Sequence, residues 1–388
     1  MKNIALIIPD DIFPIEAGHH KAIVDICKYL HKRGDLKLKI IQFSMWNKAP
    51  SDKYFDICDE YKRIQMPKRW GVVDVLNKIF LRMAPLFLSS FVTACSMRKD
   101  IMREVNEDDE IILFFSVWFP LLKRGIRLGR SCVVTIDIFF HRVKSIRGPT
   151  LWGRFCAWAN RFFEIRVLKS FKRVCVFGDY EEALLKNYGM PAEKIIRIGM
   201  PIEMPIHHET SDRKKYDFLI LGSATQQNVD GLKTFFQKVA PLLKGRDVSF
   251  AVAGKLSYDA ILQSDLVPRN IKIVSLGYVD DLAACCSEAL IGVATVPYGS
   301  GIKVKVVEMM MNDLPMVLTN SGVEGIPVTQ EGCINIDRED TNVVEERLIG
   351  WLNNPAAAIS VGKEQGRLLR AAFAPETTLA PLGAFLSK

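Results

Sequence analysis

From Asp217 to Thr319 the chain repeats one pattern: a short strand-like run, a glycine or proline, and a helical stretch. Asp217–Leu221 is followed by Gly222 and a helix from about Asp230 to Leu243, and Ser249–Ala253 ends in Gly254 and Lys255. Ile271–Leu276 ends in Gly277 ahead of a helix over about Asp280–Glu288. Ile291–Val296 ends in Pro297, and Pro315–Thr319 follows one more helix. Strands joined through helices need crossover connections, which make neighbouring strands parallel and cover both faces of the sheet. The prediction is an α/β, doubly wound domain with its ligand at the carboxyl ends of the strands.

The first half begins in the same way. Residues 3–8 read as a strand, a loop follows with Pro9, Pro14 and Gly18, and a helix runs from about His20 to Lys32. Gly34 closes it, and Leu36–Phe43 reads as the next strand. Further apolar runs stand at Glu110–Val117, Cys132–Ile138 and Arg173–Phe177. Between about Gly199 and Lys215 the periodicity gives way to a polar stretch broken by Pro201 and Pro205. A chain of 388 residues is too long for one core. Two Rossmann-like domains are therefore expected, 1–200 and 216–372, with a linker over 201–215.

Charge divides unevenly between the halves. Residues 1–200 hold 34 Lys and Arg against 22 Asp and Glu, and residues 201–388 hold 18 against 22, so the halves carry +12 and −4. The first half thus suits an anionic surface or substrate. The nine cysteines are scattered without a Cys-x-x-Cys pair or zinc spacing, as in a reduced, cytoplasmic protein. The first apolar run stops at Pro9 with no cleavage site after it, and the longest, Ile111 to Leu122, is too short to span a bilayer. The pairs Asp10-Asp11, Asp108-Asp109 and Asp280-Asp281 read as loop or cap residues, and no metal site is expected.

The segment Val296-Pro-Tyr-Gly-Ser-Gly-Ile-Lys-Val-Lys-Val-Val-Glu308 carries the most chemistry. A strand ends, Gly299 and Gly301 allow a sharp turn, and a helix is expected from near Ile302 that presents Val304, Val307 and Met311 to the core. A helix amino terminus attracts phosphate through its unpaired N–H groups and its dipole. Lys303 and Lys305 add positive charge where the dipole disfavours it, which an anionic ligand would offset. Glu308, further along the helix, could accept two ribose hydroxyls.

This segment resembles the donor-binding signature of GT-B glycosyltransferases of family four, the glycosyl transferases group 1: Pro-x-x-Gly-x-Gly-x-Lys-x-Lys-x-x-Glu-x-Met, then Leu-Pro-Val-Val. Four further segments resemble the same family in order: Leu221-Gly-Ser-Ala-Thr-Gln-Gln-Asn-Val-Asp-Gly, Phe250-Ala-Val-Ala-Gly-Lys255, Leu276-Gly-Tyr-Val-Asp-Asp-Leu282 and Gly322-Val-Glu-Gly-Ile326. The resemblance implies a GT-B architecture, two Rossmann-like domains facing a cleft, with a last helix over 373–388 returning to the first domain. It implies a nucleotide diphospho-sugar of UDP or GDP type as co-substrate and no other cofactor. The donor would meet Gly18, Ser223, Asn228, Gly254, Lys255, Tyr298, Gly299, Ser300, Gly301, Ile302, Lys303, Lys305 and Glu308. Many relatives carry Glu where this chain has Ser300, which leaves the sugar open. Where relatives place Arg and Lys in the opening loop of the second domain, this chain has Ser223, Thr225 and Gln226.

For the reacting groups, the resemblance points to His19, beside His20 after Gly18, and to Asp137 and His141 at the end of a strand. The acceptor would be a carbohydrate or lipid-linked hydroxyl, with retention at the anomeric carbon and a role in polysaccharide or glycolipid synthesis of the cell envelope. An epimerase or hydrolase on the same fold, or a non-catalytic subunit that binds the sugar nucleotide, are the rival readings. No motif for specific nucleic-acid binding is present. Finally, Leu151 to Phe171 reads as a helix with an apolar stripe and cationic flanks. Two readings fit it: a core helix with snorkelling Arg and Lys, or a helix lying in anionic headgroups at the inner face of the cell membrane.

Overall fold

The structure, a computed structural model, describes residues 1–15, 18–44, 51–65, 95, 97–122, 131–136, 138, 140, 150–202, 214–243, 245–299 and 302–387. The chain forms two compact units, Met1–Ile202 with Pro375–Lys388, and Glu203–Ala374. Each is built on one all-parallel sheet.

The first unit opens with β1 (Lys2–Ile8), α1 (Gly18–Lys32), β2 (Leu36–Ser44), β3 (Glu60–Gln65), β4 (Glu110–Phe114) and β5 (Ser131–Val134). It continues with α2 (Leu151–Leu168), β6 (Arg173–Val176), α3 (Asp179–Asn187) and β7 (Ile195–Arg197). The sheet order is β3-β2-β1-β4-β5-β6-β7. Strand β1 shows why its sequence is a continuous apolar run. Ile4, Leu6 and Ile8 enter one core with Ile23, Ile26 and Leu30 of α1, while Ala5 and Ile7 enter another with Ile165 and Leu168 of α2. Both faces are covered, so neither alternate set is polar.

The second unit contains β8 (Tyr216–Leu221), α4 (Gln226–Thr234), β9 (Val248–Ala253), β10 (Ile271–Gly277), α5 (Leu282–Ser287) and β11 (Ala289–Ala294). After these come α6 (Val304–Met311), β12 (Met316–Leu318), β13 (Cys333–Asn335), α7 (Thr341–Asn353) and α8 (Pro355–Phe373). The order is β10-β9-β8-β11-β12-β13. Its core packs Phe218, Phe250 and Val293 of the sheet against Leu232, Phe235 and Leu348. The helix expected from Asp230 begins earlier, at Gln226, and loosens after Thr234 into a π turn over Phe235–Val239 and a 3-10 turn over Ala240–Leu243.

The two last helices, α9 (Pro375–Thr378) and α10 (Ala380–Leu386), belong to the first unit. The single helix expected over 373–388 is divided because Pro375 and Pro381 cannot donate a backbone hydrogen bond inside a helix. Leu379, Leu382 and Leu386 are buried in the core beside α1, Gly199 N–H donates to the Thr378 carbonyl at 3.1 Å, and Lys2 Nζ donates to the Leu386 carbonyl at 2.9 Å. Among the described residues no helix is long and apolar enough to cross a membrane. All nine cysteines are free.

Candidate functional site

In the second sheet the chain leaves β8 toward β9 and β10 on one side and leaves β11 toward β12 and β13 on the other. The loops after β8 and β11 therefore part at the strand ends, where open α/β sheets bind ligands. Three glycines finish β8, β9 and β10. Gly222 N–H donates to the Ala253 carbonyl at 3.0 Å, and Gly254 N–H donates to the Gly277 carbonyl at 2.6 Å. Gly254 has φ of 83°, and a Cβ there would strike the Gly222 carbonyl. The Ser223 carbonyl accepts from Asn228 Nδ2 at 2.8 Å, which fixes the start of α4. Lys255 follows Gly254 and is exposed.

The loop after β11 is stapled to its surroundings by side chains. Tyr298 donates its hydroxyl to Asp230 Oδ2 at 2.9 Å, and the Tyr298 carbonyl accepts from Gln227 Nε2. Thr295 Oγ1 donates to the Gly231 carbonyl at 2.7 Å. Ser321 Oγ donates to the Gly299 carbonyl at 3.3 Å. Gly299 has φ of 125°, and a Cβ there would meet the Gln227 amide. Gln227, Asp230 and Ser321 are missed by sequence reasoning, because nothing local marks them as partners of a turn about 70 residues away or, for Ser321, 22 residues away. Ser300 and Gly301 lie outside the described residues.

Helix α6 begins at Val304, two residues later than expected, because Lys303 is extended (φ −87°, ψ 93°) and takes the N-cap position. Caps are usually Ser, Thr, Asp or Asn, whose oxygen accepts from the first amides. Lysine has no acceptor, so its side chain cannot serve them. The Val306 and Val307 amides turn onto the Lys303 carbonyl at 2.8 and 3.2 Å. The Lys303 ammonium stands 4.0 Å from Glu324 Oε2, with the side chain 18 % exposed. Burial lowers its pKa, and Glu324 only partly opposes this. A poorly hydrated cation gains more from an anion than a solvated one does. Lys305, in the first turn, is exposed, and Glu308 is half-buried. The buried face comprises Val306, Val307 and Met309 to Met311, while Val304, expected in the core, is only partly covered. Ile302 packs against the turn at Gly325.

The first sheet has the same kind of parting between β1 and β4. His19 and His20, in the first turn of α1, both place Nε2 on Asp10 Oδ2, at 3.2 and 3.1 Å. Asp10, which reads as a plain loop residue in the sequence, is thus the centre of the cluster. Burial opposes its ionisation, but the hydrogen bonds from the two histidines, the His20 charge and the Asp11 amide outweigh that and hold the carboxyl well below its usual range. The His19 ring stands 5.9 Å from that of Phe115 at the end of β4. Gln42 Nε2 donates to the Asp10 carbonyl at 3.1 Å and also to the Asp11 carboxylate, which Arg63 approaches at 3.3 Å. The loop after β1 is therefore held by β2 and β3. Gly18 is the first residue of α1. The ligand atoms of Asp10, His19 and His20 lie within 4.8 Å of one another, a set that could hold a metal ion. Asp137 and His141 lie outside the described residues.

Residues 215–354 match the family described as glycosyl transferases group 1. No curated protein matches the chain. Solved structures match it over nearly its whole length at low identity. Sucrose-phosphate synthase from Thermosynechococcus elongatus is 14 % identical with a TM-score of 0.65, covering 99 % of this chain and 98 % of its own. HepE from Anabaena, in complex with UDP-glucose, is 12 % identical with a TM-score of 0.62, with both chains fully covered. WaaG, a glycosyltransferase involved in lipopolysaccharide biosynthesis, is 14 % identical with a TM-score of 0.63, covering 98 % of each chain.

Proposed function

We infer the reaction from a chain whose residues 215–354 match the group 1 glycosyltransferases and whose two parallel-sheet units have the GT-B fold. It moves a sugar from a nucleotide diphospho-sugar, of UDP or GDP type, to a hydroxyl of a carbohydrate or lipid-linked acceptor. The observation that carries this reading is Lys303 at the N-cap of α6, whose half-buried side chain stands beside the Gly299 turn. As the bond between the anomeric carbon and the diphosphate breaks, its electron pair passes to a phosphate oxygen. Groups already aimed at that oxygen stabilise the developing charge without reorganising. The acceptor oxygen forms the new bond, and its proton passes to a base, for which His19 is the candidate in the first unit. Glu308 receives the ribose hydroxyls. Retention, independence of metal and a place in cell-envelope polysaccharide or glycolipid synthesis in the cytoplasm complete the proposal. The resemblance of the signature segment supports the first two, and the likeness to WaaG supports the last.

The test is a thermal-stabilisation screen of UDP and GDP sugars, since a ligand at 100 times its Kd adds about 2.7 kcal/mol. One nucleotide series should raise the Tm, and Glu308→Ala should abolish both that rise and transfer. Wild-type turnover in Glu308→Ala would overturn the site. Ser300, in place of the family's Glu, favours one second reading, a subunit that binds donor without turning it over. Donor binding with no transfer to any acceptor would distinguish that case.

A further inference from the structure

Helix α2 is amphipathic in the inverse sense. Its buried face carries Gly153, Cys156, Ala159, Asn160 and Glu164 beside Ile165, Val167 and Leu168. Its outward face carries Leu151, Trp152, Phe155, Trp158, Phe162 and Phe163, each between 46 % and 84 % exposed. The large apolar side chains that would ordinarily fill a core stand in solvent. Their rings form a continuous ladder: Trp152 to Phe155 at 5.3 Å, Phe155 to Trp158 at 6.1 Å, and Trp158 to Phe162 at 6.3 Å between centroids. A ridge of this length, about 15 Å from the helical rise, is a surface built to be covered.

We propose that this ridge docks the first unit onto an anionic lipid bilayer, with the α2 axis lying in the interfacial plane. The charges around it select that occupant. Arg154, Arg166 and Lys169 flank the rings at exposed positions. The one acidic residue of the helix, Glu164, is turned inward and accepts hydrogen bonds from Ser116 Oγ at 2.7 Å and the Phe140 amide at 2.9 Å. A second copy meeting this face would bring like charges together, whereas acidic headgroups pair with them. Tryptophan rings settle at the headgroup level, where the ring body is in contact with acyl chains and the indole N–H reaches polar groups. The helix is not long and apolar enough to cross the bilayer, so it lies on it.

The probe is a vesicle of phosphatidylglycerol and phosphatidylcholine, compared with phosphatidylcholine alone, read by co-sedimentation and by tryptophan quenching from brominated acyl chains. The full chain should partition to the anionic vesicles at low salt, with a blue-shifted emission that brominated lipid quenches. The variant Trp152→Ser/Phe155→Ser/Trp158→Ser/Phe162→Ser should bind at least tenfold more weakly and keep the wild-type Tm and nucleotide binding, because it removes only outward side chains. The variant Arg154→Gln/Arg166→Gln/Lys169→Gln should lose the preference for anionic vesicles. Wild-type partitioning in the aromatic variant, no partitioning of the wild type, or a wild-type dimer that the aromatic variant dissolves would each overturn the proposal. It stands apart from the donor site, so a failure here leaves the sugar-transfer reading untouched.

Discussion

The Tyr298 hydroxyl donates to Asp230 at 2.9 Å across 68 residues of sequence, joining the loop after β11 to helix α4. The Asp230 carboxylate also accepts from Lys233 and Gln226, and its pKa is lowered by Lys233 first and then by Tyr298 and Gln226. The pair positions a turn and touches no core, so its removal should appear in ligand binding. Tyr298→Phe should weaken nucleotide binding by about fivefold, since one lost positioning contact shifts affinity by under a decade. Calorimetric titration with the stabilising nucleotide checks this, and a Tm near the wild-type value separates positioning from unfolding.

Lys303 is charged against the pull of its surroundings. Lys303→Met should lower diphosphate affinity about tenfold or more, as expected for losing a charge-assisted contact, while leaving the Tm equal or higher. The salt dependence of nucleotide binding should flatten in the same variant. Unchanged affinity for the diphosphate in Lys303→Met would show that the anion sits elsewhere.

Asp10 has a depressed pKa, so its two imidazole contacts stabilise the first unit at neutral pH. That contribution is fully present above the ordinary carboxyl range and disappears as pH falls through the depressed value. Asp10→Asn should lose about 1–2 kcal/mol at pH 7, with the partly exposed site discounting the full shift. Its stability should then depend less on pH between about 5 and 2 than that of the wild type. Chemical denaturation across this range measures both.

Gly254 adopts φ of 83°, and the Gly222 carbonyl occupies the space a Cβ would need. Gly254→Ala combines backbone strain with a collision against main chain, so it should cost about 2–4 kcal/mol. It should also displace the loop after β8 and weaken nucleotide binding, whereas Gly245→Ala, in open space though also at positive φ, should cost less. Paired thermal melts and nucleotide titrations of the two variants test the difference.

The strand, glycine and helix succession is legible in the sequence because each strand is buried on both faces and each turn needs a residue free of Cβ. Ile4 to Ile8 and Phe250 to Ala253 read as strands for that reason. The Gly254 turn is legible on the same ground. The start of α6 is not, since a lysine at the N-cap breaks the usual preference and sequence rules place the helix at the first apolar residue, Ile302. Nor are the staples on Tyr298 or the link between Asp10 and the two histidines, because their partners come together only once the sheet order is fixed. Aromatic residues along α2 are evident in sequence, but periodicity alone does not say which side of a helix the protein keeps for itself.

Leu379, Leu382 and Leu386 complete a core whose other walls come from the first 200 or so residues. During synthesis the first unit therefore waits, lacking those side chains, until the whole second unit has been made. The second unit, continuous from Glu203 to Ala374, has no such delay. Biogenesis thus runs out of step with numbering: the portion translated first is the one that must be finished last, and a chaperone would find its unfilled hydrophobic seam open for the longest time.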